Sequence, residues 1–142
     1  MARRKQVERL LAKAAQDEYV LEQLLEDEGA PLEVFGFPAQ QAAEKLLKAA
    51  LVAAGVAFPR THRLAELIDL LRSTEIEVPQ EFDELRHLTP FAVEFRYDAV
   101  FDPDSTPLDK PLVRDLVRRV RAWASQSTQE RLADSPDDVD GT

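Results

Sequence analysis

Residues 33–54 read EVFGFPAQQAAEKLLKAALVAA. Apolar side chains recur at Phe35, Ala39, Ala42, Ala43, Leu46, Leu47, Ala50, Leu51 and Ala54, the three-and-four spacing of a helix with one buried face. Seven alanines between positions 39 and 54 let neighbouring helices approach closely, so this helix is expected to lie centrally. Gln40, Gln41, Glu44, Lys45 and Lys48 gather on the remaining face, with Glu44 and Lys48 in the favourable i,i+4 order. Gly55 follows as the residue to cap its C-terminus.

Working towards the N-terminus, Val7, Leu10, Leu11, Ala14, Ala15, Leu21, Leu24 and Leu25 predict a first helix over 3–28. Gly29, Ala30 and Pro31 end it, by a left-handed glycine and a proline that cannot continue the ladder. Working towards the C-terminus, Phe58-Pro59-Arg60-Thr61 forms an extended connector, and Thr61 is a good N-cap for a third helix carrying Leu64, Leu67, Ile68 and Leu71. Residues 73–79 read as a loop, and a fourth helix is expected from near Gln80, with Phe82, Leu85 and Leu88 inward.

Phe91, Val93, Phe95 and Tyr97 alternate with polar or small neighbours like a half-buried strand, but a lone strand has no partner to pair with. Thr89-Pro90 matches an N-cap followed by proline at the first helical position, so a short helix over 90–97 is expected instead. A loop follows over 98–107. Thr106-Pro107-Leu108-Asp109 then resembles a capping box opening a fifth helix over about 107–132, with Leu112, Val113, Leu116, Val117, Val120 and Trp123 on its core face. The expected architecture is an all-α, up-down helical bundle of about five helices over 1–132, with an acidic, disordered tail over 133–142.

The 142 residues fit one domain with one core. With no cysteine there is no disulfide scaffold, thiol nucleophile or zinc finger, and two histidines leave little for a metal site, so no metal and no cofactor are expected. Gly29, Gly36, Gly55 and Gly141 are too scattered for a phosphate-cradling glycine loop. No uncharged run approaches the roughly 18 residues that a membrane span needs, and no secretory signal pattern opens the chain, so it is read as cytoplasmic. The net charge of −9 repels nucleic acid unless basic residues are segregated. Lys110, Arg114, Arg118 and Arg121 recur along one side of the fifth helix, and this stripe reads as an RNA phosphate track, or as a surface that docks on the acidic helices or is merely solvated.

The segment FPAQQAAEKLLKAALVAAGVAFPRTHRL, residues 37–64, resembles the signature of the HEPN family (higher eukaryotes and prokaryotes nucleotide-binding). It is similar to that family's F-H-A-Q-Q-A-x-E-K-x-x-K pattern and its following R-T-H-x-L helix start, and Arg96-Tyr97 resembles an R-Y pair found after the family's fourth helix. The resemblance implies a helical bundle, a homodimer, and pairing with a minimal nucleotidyltransferase in a toxin–antitoxin-type system. Many members are metal-independent ribonucleases with an arginine separated by four to six residues from a following histidine. Positions 55–57 before His62 are Gly, Val and Ala, and positions 80–82 before His87 are Gln, Glu and Phe, so that motif is absent. Pro38 also stands where the pattern has histidine.

These observations imply a non-catalytic, nucleotide-binding or adaptor component, with Gln41, Glu44, Lys45, Lys48, Arg60, His62, Arg96 and Tyr97 as nucleotide- or partner-binding candidates. The alternative is an endoribonuclease toxin in which Arg60 and His62, or Arg96 from across a dimer, supply a cation and a proton acceptor for RNA cleavage. His87 adjoins Arg86 on a helix, where neighbours diverge by about 100°, and is expected to be structural or solvent-facing. Trp123 is expected in the core.

Overall fold

The computed structural model describes residues 2–92 and 109–133, which form four α-helices and one 3-10 helix with no strand among them. These are α1 (Ala2–Glu26), α2 (Leu32–Ala53), α3 (Leu64–Ser73), the 3-10 helix Gln80–Phe91, and α4 (Lys110–Ala133). The chain is the all-α bundle that the hydrophobic periodicity predicts. Residues 93–97 of the expected short helix, Arg96 and Tyr97, the 98–107 loop, the Thr106–Pro107 cap and the tail from 134 lie outside the described residues.

α2 packs against every other helical element. α1 runs antiparallel to it, because Asp17 meets Lys45 near the middle while Val7 clusters with Ala49, Val52 and Ala53 at the far end. α4 lies back along α1, with Lys110 reaching the carbonyl of Ala30 (2.8 Å) and Leu132 joining the Val7 cluster. Phe35, Ala39, Ala42, Ala43, Leu46, Leu47, Ala50 and Leu51 are buried, as the spacing requires. The alanine run does let the helices close on one another.

Gly36 and Pro38 are poor helix residues in the first turns of α2, costing about 1 and 3 kcal/mol relative to alanine. Packing overrides them. The Phe91 ring lies against the bare α-carbon of Gly36, where an added Cβ would come within 2.5 Å of the ring, so this glycine is the seat for the end of the 3-10 helix.

The helix ends correct several expectations. Gly55 is left-handed (φ +72), with its N–H donating to Val52 O and that of Val56 to Leu51 O. This is the Schellman closure expected of Gly55. Gly29 is not left-handed; its N–H donates to Asp27 Oδ1 (3.0 Å), and this side-chain turn closes α1. α3 ends on the same Schellman pattern as α2, but its left-handed residue is Glu75 (φ 64), and Ile76 is driven into the core behind it.

Thr61 is not the N-cap of α3. Arg63 holds that position without a side-chain cap, while Thr61 Oγ1 accepts from Arg63 N (3.1 Å) and donates to Glu66 (3.0 Å). The first amide of α3, Leu64 N, is met instead by Thr89 Oγ1 (3.4 Å) from the 3-10 helix. That contact also removes Thr89 as the opener of a new helix: Thr89 and Pro90 sit inside Gln80–Phe91. The fourth helical element is therefore 3-10 rather than α. Arg72 secures the preceding loop by pairing with Asp83 (2.7 Å) and donating to Val78 O (3.3 Å) and Pro79 O (3.2 Å). α4 is opened by Asp109, whose Oδ1 accepts from Leu112 N (3.2 Å).

Candidate functional site

Glu44 lies midway along α2, one helical turn from both Gln40 and Lys48, so all three side chains fall on one strip of the helix. The extended 58–63 connector crosses this strip. Glu44 is only 5% exposed and Gln40 is fully buried, so the polar face is an enclosed network rather than a solvated surface. Each carboxylate oxygen has its partners. Gln40 Nε2 and His62 Nδ1 both lie 2.9 Å from Oε1, and Lys48 Nζ donates to Oε2 at 2.8 Å.

Burial alone would push the Glu44 carboxyl up; the hydrogen bonds from Lys48, Gln40 and His62, with the Lys48 charge, outweigh it and hold the group below its ordinary 4.5. An ionised carboxylate can only accept hydrogen bonds, so the nitrogen facing it must carry the proton. His62 is thus held with Nδ1–H donating to Glu44 and Nε2 turned away. The imidazole is 58% exposed.

Gln40 fixes both sides of this arrangement. Its Nε2 donates to Glu44 and also to the backbone carbonyl of His62 (3.1 Å), while its Oε1 accepts from Gln41 Nε2 (2.7 Å). One buried amide therefore sets the carboxylate and the connector that carries the imidazole. Lys48 also lies 5.7 Å from the centre of the Phe58 ring, within cation–π reach, which pins the start of the connector. Arg60 and Arg63 flank His62 on the exposed side, and neither side chain makes a hydrogen bond or ion pair among the described residues.

The structure thus brings Gln41, Glu44, Lys48 and His62 into one network and places Arg60 on the connector beside it. It does not bring in Lys45, which pairs with Asp17 and fastens α2 to α1. Arg96 and Tyr97 lie outside the described residues. Arg63 was not singled out in the sequence; its signal is the second cation of the run Arg60-Thr61-His62-Arg63. Gln40 stood out only as one of a polar face, although its i,i+4 relation to Glu44 is the spacing on which the network depends.

The basic stripe of α4 resolves in favour of docking. Arg114 and Arg118 pair with Glu22, and Arg121 pairs with Glu18 and donates to Leu11 O (2.9 Å). His87 pairs locally with Glu84 (3.2 Å). Trp123 is half-buried and stands edge-on to Phe82, with its N–H donating to Glu77 O (3.1 Å). It also walls a groove of ≈ 750 Å³ bounded by Glu75, Glu77 and Glu130 with Arg131 as its one cation. Those carboxylates repel phosphate, so the groove is no counterpart to the connector site.

Among the described residues no helix is long and apolar enough to cross a membrane, and no group of three or more acidic or histidine side chains could hold a metal ion. No curated protein and no solved structure matches the chain. Residues 7–126 match the family model of the HEPN domain.

Proposed function

The chain belongs to the HEPN domain family of nucleotide-binding or ribonuclease-like helical proteins, and from that premise we propose that it binds a nucleotide phosphate at the 58–63 connector. One observation carries this reading: His62 is held by a buried, ionised Glu44 between Arg60 and Arg63, whose charges nothing in the described fold neutralises. Two guanidiniums within four residues supply the charge-assisted donors that a phosphate needs, with an oriented imidazole between them. Gln41 and Lys48 edge the same surface. The Arg-x4-6-His ribonuclease motif is absent, so the chain acts as a non-catalytic nucleotide-binding or adaptor component. In line with the family resemblance, it works as a homodimer beside a minimal nucleotidyltransferase-like partner in a toxin–antitoxin-type system.

The test is calorimetric titration of the purified chain with nucleoside mono- and triphosphates, repeated with Arg60→Ala/His62→Ala. Binding that the double variant loses supports the reading; no heat and no shift in melting temperature at millimolar nucleotide refutes it.

A second reading rests on the same Glu44–His62 contact. A carboxylate-oriented histidine is an acid–base group, and with a neighbouring arginine it could serve RNA cleavage through the 2′-hydroxyl. RNA cleaved in EDTA by the wild type and left whole by Arg60→Ala/His62→Ala would place this reading first.

A further inference from the structure

The tautomer of His62 says what its free nitrogen can recognise. Nδ1 carries the proton because Glu44, its one partner among the described residues, is acceptor-only when ionised. In the neutral ring Nε2 is then a lone-pair acceptor. A phosphate with ionised oxygens has no hydrogen to offer it, so the ligand group that can pair with the neutral imidazole is a hydroxyl or an N–H. The donors available to phosphate are Arg60 and Arg63, two and one residues away on the same connector. In a nucleotide the group covalently nearest the phosphate that can donate a hydrogen bond is a sugar hydroxyl. The amino groups of the bases stand further off.

We infer that the connector site selects ribonucleotides over nucleotides lacking sugar hydroxyls: the arginines take the phosphate, and His62 Nε2 accepts a hydrogen bond from a ribose hydroxyl. Gln40 is the positioning residue for this selection. It is fully buried, and its two N–H groups reach the carboxylate that sets the ring tautomer and the carbonyl of the residue that carries the ring. Losing it frees both at once. The inference rests on the nucleotide reading given above.

Two readouts on the full chain test it. The first is long-range nitrogen–proton NMR of the imidazoles, which is uncrowded because the chain has two histidines and His87 serves as an internal control. Wild-type His62 is expected in the Nδ1–H form, and Gln40→Met to lose that preference while His87 is unmoved. The second is titration with each of the four ribonucleoside 5′-monophosphates against its 2′,3′-dideoxy counterpart. For one hydrogen bond at a part-exposed site, a preference of about three- to tenfold for the ribonucleotide is expected. It should disappear in His62→Ala, which removes an exposed side chain and leaves folding intact, and fall in Gln40→Met.

An Nε2–H tautomer in the wild type overturns the inference. So does equal affinity for the two nucleotide sets, which leaves the nucleotide reading standing. If neither set binds at millimolar concentration, the nucleotide reading falls and the hydroxyl preference falls with it.

Discussion

Two regions of this protein concentrate charge, and they use it in opposite ways. Along the α1–α4 seam, Arg114, Arg118 and Arg121 each meet a glutamate of α1, and all of these groups keep contact with water. At the α2 connector a single carboxylate is buried under three donors, while the two arginines beside it have no partner among the described residues. The seam carries more arginines, yet its charges are already neutralised where they stand. A count of basic residues therefore points to the wrong face of the molecule. What marks the connector is charge left over after packing, held next to a group that packing has fixed.

Four experiments would break or sharpen this contrast. The largest effect is expected from Glu44→Ala, which strips the anion from beneath Lys48, Gln40 and His62 and should destabilise the fold by about 3 kcal/mol in urea unfolding. The matching change at the seam, Glu22→Ala, should cost under about 1 kcal/mol because its partners stay hydrated. Equal losses would erase the distinction.

Next, Arg60→Ala/Arg63→Ala should weaken nucleotide binding by about tenfold or more, the value of lost charge-assisted bonds. Its unfolding free energy should stay within about 0.5 kcal/mol of the wild type. Arg114→Ala/Arg118→Ala should leave nucleotide affinity unchanged. Weakened binding in the seam variant would show that its arginines reach the ligand after all.

The third experiment uses pH. Because the folded state holds Glu44 below its ordinary 4.5, the stabilisation from its ionised form is complete above about that pH and is lost as pH falls through the lower folded value. The stability difference between wild type and Glu44→Gln should therefore shrink as denaturation is repeated from pH 6 down to pH 3. A constant difference would mean that charge at Glu44 contributes nothing. The smallest effect is expected at the seam, where Arg118→Ala should cost a few tenths of a kcal/mol at low salt and nothing measurable at 1 M salt, where the screening length is about 3 Å.

The bundle was legible wherever burial is periodic. Every apolar position read for the α2 stripe from Phe35 to Leu51 is buried, because a helix against neighbours on several sides leaves little freedom in where apolar groups fall. What sequence could not show were contacts made across elements. Thr61 looked like a cap, but the amide of Leu64 is met by Thr89, 25 residues away. The fourth helix, expected from near Gln80, is 3-10 and runs through Thr89 and Pro90 to Phe91, whose ring seats on Gly36 in the first turns of α2. Glu75 takes a left-handed turn that composition would assign to glycine, since Ile76 behind it is driven into the core.

The site divides in the same manner. His62 and Arg60 were visible as a pair on the connector. That Glu44 would lie beneath them was not, because nothing in the strip Gln40-Gln41-Glu44-Lys45-Lys48 distinguishes a face covered by a crossing loop from one facing water. Lys45 illustrates the difference: one residue from Glu44, it turns to Asp17 on α1 and leaves the site altogether.

The central place of α2 also gives the molecule a built-in clock. Since every other helical element packs on α2, its amides can reach solvent only when the whole bundle opens, so their deuterium uptake reports global unfolding rather than local breathing. The helix that carries Gln40, Glu44 and Lys48 is thus also the slowest-exchanging segment expected. Any ligand gripped at the connector should slow that uptake by the factor of one plus its concentration over its Kd, so mass spectrometry of a single peptide can rank candidate ligands.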